Sequence, residues 1–477
     1  MKYVLMNNDL NKIILLVVPI ASVICFLIII IFKIFEKIRH NNNIVDSYES
    51  EYKKAKIEIK ETKKLLKQTV DITKSTLIGS NNKQKIYTPD NAKHIFVCGT
   101  PGSGKTVALA NYIVSGIKKD YPLLIVDGKG DMDDSSIYAI TKKACEDNDK
   151  KLYIINLMDH ERSDNYNPFV DTSPTVCKDM LINLTEWSEE HYKKITERYL
   201  QKILQLMKKG NIPFSFHNII KNANVEEFHF LSANLLTKNI ITKEDHLFNI
   251  NLAEISKDTV REALSRFSIL EESDIGGLFT DDGINISGAI KEKAVILFIL
   301  NPLSYPETST LMGKLILIDS KVAIGNNFEN KMRKFFIFDE INSYASPTII
   351  DLVNKSRSAN VTCILATQSL SDLDYSVDEN FREQVIENCN NYIVLRQNSG
   401  KNAEAWANII GTKNKADSTY QFGNKNNTSG TTGVGTIKFN RSYIFHPDEI
   451  KNLKTGEAFY ISKDTGLKQK IKVHKPF

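Results

Sequence analysis

The chain has 477 residues, 42% of them hydrophobic and 25% charged, which excludes a mostly disordered polypeptide and exceeds what one compact core usually holds. Its net charge is +5, from 62 basic and 57 acidic residues, too balanced to assign a nucleic-acid partner by charge alone. Six scattered cysteines without a C-x-x-C pair, and nine histidines without ligand spacing, argue against a disulfide scaffold or a zinc site and for a reduced, cytosolic body.

In chain order, residues 1–12 read as a short external tail. Residues 13–32 (IILLVVPIASVICFLIIIIF) are twenty uncharged residues that would span roughly 30 Å as a helix, the thickness of a bilayer core. Their length, and the lack of an A-x-A-like site after them, favour a retained span over a cleaved signal peptide. Lys33, Lys37 and Arg39 on one side, against Lys2 and Lys12 on the other, point the C-terminal body inward. The expected location is thus the cell membrane, single-pass, with a cytoplasmic body. Residues 33–88 read as a charged stalk and linker, helical over 46–76.

From residue 89, short apolar runs alternate with helical patterns: HIFVC, PLLIVD, KLYIIN, AVILFIL, KFFIFDE, VTCILAT and NYIVLR. Continuous rather than alternating hydrophobicity predicts strands buried on both faces, hence a mostly parallel sheet covered by helices. The rhythm breaks over 186–264, where Tyr192, Ile195, Tyr199, Ile203, Leu206 and Met207 make one helical stripe. This predicts an all-α insert dividing a nucleotide-binding domain into 89–185 and 265–477. The polar, Gly/Asn/Thr-rich stretch after Gly411 reads as a loop, and RSYIFHP and EAFYISKD as closing strands.

Gly99, Thr100, Pro101, Gly102, Ser103, Gly104, Lys105 and Thr106 match G-x-x-x-x-G-K-[ST] between a strand and a helix. Glycine-rich backbone N–H groups and a helix N-terminus suit phosphate oxygens. Lys105 would meet the β- and γ-phosphates of ATP, and Thr106 would ligate Mg²⁺. Hydrolysis further needs a second metal anchor and a base for water. KFFIFDE ends in Asp339, the expected Mg²⁺ ligand, and Glu340, the expected base, although an acidic pair also caps many strands. VTCILATQ ends in Thr367 and Gln368, an amide placed to sense the γ-phosphate. Arg357 ends a helical pattern just before that strand; its spacing suits either a surface ion pair or a guanidinium reaching a neighbouring subunit's triphosphate.

Together these motifs resemble the coupling proteins of conjugative type IV secretion systems, the TraD/TraG-like branch of the FtsK–HerA class of DNA-pumping ATPases. Asp127, Lys129, Gly130 and Asp131 in LLIVDGKGDM resemble that family's D-x-K-G-[ED] segment, and DNYNPF its Asn-Pro-[Leu/Phe] element. FIFDEINSYAS, SRSANVTCILATQSLSDL, ENCNNYIVLR and FHPDEIKNLKTGEAFYISKD follow in the family's order. The resemblance covers roughly residues 89–470. It implies a RecA-like P-loop NTPase core with an all-α insert, one N-terminal transmembrane helix and a homo-hexameric ring. It also implies Arg357 as a finger in trans, Gln368 as sensor and Arg396 as a weaker inter-subunit candidate.

The function so implied is ATP-driven translocation of DNA, single-stranded and bearing a relaxase, towards the components of a type IV secretion channel. Lys413, Lys415, Lys425 and Lys438 are candidate DNA contacts in the ring. A related motor for pilus assembly or protein export, or a nucleotide-gated recruitment platform, are the alternatives. The chain departs from many relatives in having one span, a short insert, and Gly128 where they often carry proline.

Overall fold

The computed structural model describes residues 19–36, 71–82, 84–91, 93–187, 189–425 and 428–476, and of 416–439 the backbone alone. The expected tail, the first residues of the span and most of the stalk lie outside the described residues. The chain divides into two units, Met1–Thr69 and Val70–Phe477. In the first, helix α1 (Pro19–Glu36) is apolar on every side and exposed throughout, long and apolar enough to cross a membrane. It carries on past Phe32, through Lys33, where the uncharged run stops. Charge ends a hydrophobic stretch without ending a helix.

The larger unit opens with a hairpin, β1 (Ser75–Asn81) and β2 (Gln84–Pro89), in a stretch read from sequence as stalk and linker. The β-branched and aromatic residues of STLIGS and KIYTP belong to the sheet. Strand β3 (His94–Cys98) then leads through the glycine loop into α2 (Lys105–Lys118), followed by β4 (Leu123–Asp127), α3 (Ile137–Asp147) and β5 (Leu152–Asn156). Next come the helices α4 (Pro174–Leu184), α5 (Glu190–Lys209), α6 (Phe216–Ala223), α7 (Val225–Thr237), α8 (Lys243–Glu271) and α9 (Ile286–Lys291). The sheet resumes with β6 (Val295–Ile299), α10 (Pro306–Asn326), β7 (Lys334–Phe338), α11 (Pro347–Ser356) and β8 (Val361–Thr367). Then follow α12 (Leu370–Ser376), α13 (Glu379–Asn388), β9 (Cys389–Val394), α14 (Gly400–Ile410), β10 (Thr412–Lys425), β11 (Thr428–Tyr443), α15 (Pro447–Lys451), β12 (Glu457–Ser462) and β13 (Lys468–Val473).

Eleven strands form one sheet in the order β2-β1-β13-β12-β9-β3-β8-β7-β4-β6-β5. From β9 to β5 all neighbours are parallel, whereas the β2–β1–β13–β12 edge is antiparallel and joins β9 antiparallel. Every residue of β3, β4, β6, β7 and β8 is buried, as continuous apolar runs require. Each buried Val, Leu, Ile or Phe there contributes about 1.5–3 kcal/mol. Trp406 of α14 packs 5.9 Å from Phe96 and 5.8 Å from Tyr392, closing one face over β3 and β9.

The polar stretch after Gly411 is not a loop. β10 and β11 pair antiparallel from Thr412↔Tyr443 to Lys425↔Thr428, with an irregularity between Tyr420 and Phe422, as a two-stranded ribbon apart from the main sheet. Its glycines and asparagines obscure the Thr, Tyr, Ile and Phe that favour strands.

The helical segment is anchored through the DNYNPF element. Asn167 Nδ2 donates to the carbonyls of Phe214 (2.9 Å) and Asp281 (3.3 Å), and its Oδ1 accepts from the Phe169 N–H. Beside it the Tyr166 hydroxyl donates to Asp319 Oδ2 at 2.9 Å, and the Ile286 N–H donates to the same oxygen. Burial pushes the Asp319 carboxyl up to about 7 despite these two donors. Between about pH 4 and 7 the folded chain holds a proton on Asp319 that the unfolded chain has released. Stability therefore falls as pH rises through that window. Asp319→Asn is expected to flatten the decline of melting temperature from pH 5 to pH 8; an unchanged slope would assign the pH dependence elsewhere.

Candidate functional site

The strand order brings the sequence motifs together. β8 lies between β3 and β7, so the C-terminal ends of three adjacent parallel strands, roughly 5 Å apart, carry the glycine loop, Gln368 and the acidic pair. The loop is fixed at both flanks. Gly99 N–H donates to the Thr367 carbonyl at 3.2 Å, and the Thr100 N–H and hydroxyl both donate to the Arg396 carbonyl at 3.1 Å. Gly102 and Gly104 take φ of 71° and 106°, a left-handed backbone that glycine adopts without strain. Pro101 and Gly102 are exposed and Thr106 is half-buried at the start of α2.

Lys105 is 5% exposed and lies between two carboxylates. Its ammonium donates a close hydrogen bond to Glu340 Oε1 and stands 3.6 Å from Asp339 Oδ1. Gln368 Nε2 donates to the same Glu340 oxygen at 3.2 Å. Successive strand residues point to opposite faces, so two adjacent carboxylates do not ordinarily meet one lysine. Here Glu340 has φ 47° and ψ 48°, left-handed for a non-glycine residue, and this swivel brings its side chain back to Lys105. The strain, of order 1–3 kcal/mol, sits where the chemistry would be. Tyr344 OH donates to the Asp339 carbonyl (2.9 Å), and Thr367 Oγ1 donates to Asn342 Oδ1 (3.1 Å), tying this turn to β8.

The segment after β4 supports the turn from below. Asp127 Oδ1 accepts from the N–H groups of Lys129 (2.9 Å) and Gly130 (3.4 Å). Burial, reinforced by Asp339, pushes the Asp127 carboxyl up to about 7. A Cβ at Gly128 would stand 2.7 Å from the Asp339 carbonyl and 3.0 Å from Glu340 Cβ, so the swivelled turn fills the space a side chain would need. Lys129 stands within electrostatic reach of Asp339. Burial raises the Asp339 carboxyl, with Lys105 pulling it back.

These residues fit a magnesium–nucleotide. Among the described residues, both Asp339 oxygens, Glu340 Oε2 and Ser103 Oγ are buried without a hydrogen-bond partner, as groups awaiting a cation and phosphate oxygens would be. The sequence placed Lys105, Thr106, Asp339, Glu340 and Gln368 in one site, and the structure puts them at one sheet edge. Arg357 is elsewhere. It is exposed before the start of β8, about 20 Å of strand away from Gln368, and so does not reach the loop of its own chain. Arg396 lies beside its own loop, held through its carbonyl. Sequence reading missed the turn-bracing roles of Tyr344 and Asn342; INSY directly after the acidic pair is the only signal, and it is weak.

A glycine loop and an acidic strand end separated by one strand is the arrangement of the P-loop NTPase fold. Comparison with known proteins narrows it. Residues 86–473 match the profile of the type IV secretion-system coupling protein DNA-binding domain, and the chain belongs to that family. Among solved structures, the unbound bacterial conjugative coupling protein TrwBdeltaN70 is similar at TM-score 0.59 and 15% identity, over 87% of this chain and 91% of that one. TrwB in complex with ADP and Mg²⁺ is similar at TM-score 0.56 and 15% identity, over 87% and 92%. VirB4 of Thermoanaerobacter pseudethanolicus follows at TM-score 0.52 and 14% identity, over 85% and 98%. An uncharacterized protein of Mycoplasma pneumoniae (strain ATCC 29342 / M129) is 33% identical over 101 residues, 21% of this chain and 67% of that protein.

Gly128→Ala is expected to cost about 1–3 kcal/mol of stability by overpacking against the Asp339 carbonyl. Gly277→Ala, whose Cβ would meet nothing within 4 Å, should cost under 1 kcal/mol. Denaturant melts of the two variants check the difference; equal losses would mean the turn yields.

Proposed function

We propose that the chain is a membrane-anchored, ATP-driven DNA translocase that couples a relaxase–DNA complex to a type IV secretion channel. The observation that carries this reading is the buried Lys105 shared by Glu340 and Asp339, with Gln368 on the same Glu340 oxygen. A triphosphate entering the loop offers Lys105 a phosphate oxygen in place of Glu340. The released carboxylate is then free to take a proton from water attacking the γ-phosphate, with the Gln368 amide holding it in line. Thr106 and Asp339 would hold Mg²⁺, which supplies charge neutralisation at the phosphates. The orphaned Asp339 oxygens support that assignment.

The exposed position of Arg357, far along β8 from its own loop, supports a role across a subunit boundary in a hexameric ring. There its guanidinium would meet charge developing on the neighbour's γ-phosphate. Helix α1 supports single-pass anchoring, and the basic Lys33, Lys37 and Arg39 support a cytoplasmic body on its C-terminal side. The ribbon β10–β11 carries the candidate DNA contacts Lys413, Lys415, Lys425 and Lys438, and six copies would concentrate positive charge in one channel.

Full-length protein in detergent is expected to release phosphate from ATP faster with single-stranded DNA, and Lys105→Ala should lose at least 100-fold. Hydrolysis indifferent to DNA would remove the translocase reading, and hydrolysis surviving in Lys105→Ala would remove the site. Arg357→Ala should lose a similar factor alone, yet recover part of its turnover when mixed with Lys105→Ala, because mixed rings hold some intact interfaces. No recovery on mixing would place the arginine's role within one chain.

A further inference from the structure

We infer that the turn 454–457, between α15 and β12, is a bracket that presets the phosphate loop, with Thr455 as a positioning residue for the nucleotide; this rests on the proposal that the loop holds ATP. The turn lies in FHPDEIKNLKTGEAFYISKD, which no step of the proposed hydrolysis uses. The Thr455 hydroxyl donates to the Gly102 carbonyl at 3.1 Å, and the Gly456 N–H donates to the Ser103 carbonyl at 3.0 Å. Two consecutive carbonyls of the loop are thus held by two consecutive residues 353 positions further along. The approach is close: a Cβ at Gly104 would stand 3.4 Å from Gly456 Cα. The bonds from Gly99 to Thr367 and from Thr100 to Arg396 fix only the loop's entry. Its middle, 102–104, is what the bracket adds.

The bracket is itself rigid. The Glu457 N–H donates to the Lys454 carbonyl at 2.9 Å, closing a four-residue turn whose third residue, Gly456, has the positive φ of 79° that favours glycine there. Glu457 Oε2 accepts from the Lys454 N–H and from Lys470 Nζ, both at 2.9 Å. The Gly456 carbonyl accepts from the Val473 N–H at 2.8 Å, which fastens the turn to β13 of the main sheet. The loop it holds is the softer partner, with two glycines at positive φ and Pro101 and Gly102 exposed. A trans peptide points its C=O and N–H in opposite directions. Holding the Ser103 carbonyl on the bracket therefore turns the Gly104 N–H away from it, at the head of α2 where phosphate oxygens are favoured. A loop left to sample other shapes would bind more weakly, in proportion to the time it spends outside the competent one.

The test is calorimetric titration of full-length protein in detergent with ADP and with a non-hydrolysable ATP analogue, each with Mg²⁺. Thr455→Val keeps the shape of the side chain and removes its hydroxyl, and because Thr455 is exposed the fold should survive. Both nucleotides are expected to bind about threefold to tenfold more weakly, the worth of one neutral hydrogen bond. The factor should be the same for the two, because the loop cradles phosphates that both carry. KM for ATP should rise with it while kcat changes little, the pattern of a lost binding interaction rather than a lost transition-state one. Thr455→Ser, which keeps the hydroxyl, should restore affinity. Wild-type protein that binds neither nucleotide would overturn the ATP reading and this inference together. Wild-type affinity in Thr455→Val would overturn this inference alone. So would a loss that Thr455→Ser does not restore, or one confined to kcat.

Discussion

The site depends on one buried cation shared by two carboxylates. Lys105 is almost wholly out of water, and a lone ammonium there would be far too costly to retain. Glu340 and Asp339 make it tolerable, and removing one partner of such a pair typically costs about 3–5 kcal/mol. The compensation is unequal, because one positive charge faces two acidic groups. Asp339 answers by holding its proton more tightly than usual, and neither of its oxygens accepts a hydrogen bond among the described residues. A cluster with one acid too many and open oxygens is poised for a divalent cation accompanied by phosphate.

The geometry that enforces this sharing comes from the sheet. Placing β8 between β3 and β7 sets the glycine loop and the acidic pair two strand spacings apart, a gap that an extended lysine crosses, and puts Gln368 in the middle. Glu340 then has to turn back on itself, and the left-handed backbone that accomplishes this leaves no room for a side chain at Gly128. The departure from proline noted in the sequence thus acquires a physical meaning. The residue at 128 and the conformation at 340 are one constraint seen from two strands.

Much of this was legible in advance. Seven apolar runs announced the parallel strands because burial on both faces leaves a continuous signature. Gly99 to Thr106 announced the loop because few backbones wrap a phosphate. What stayed hidden was set by neighbours rather than by local pattern. STLIGS and KIYTP are too short to outweigh the charge run before them, and the hairpin they form joins the sheet only where β1 meets β13. The ribbon after Gly411 is masked by glycine and asparagine. The bond from Asn167 to the Phe214 carbonyl joins residues 47 positions apart, which no periodicity reveals. Arg357 could be found as a residue but not given a role, since spacing along one chain suits a surface ion pair as well as a reach to a neighbouring subunit.

The most direct measurement is the affinity of Glu340→Gln for a non-hydrolysable ATP analogue, compared with the unmodified chain. If Glu340 holds Lys105 until a phosphate replaces it, neutralising that carboxylate releases the lysine. Binding should then tighten by about tenfold or more, the worth of one charge-assisted hydrogen bond. Unchanged or weaker binding would mean that Lys105 is not withheld by Glu340, and the coupling of nucleotide arrival to release of the base would fall.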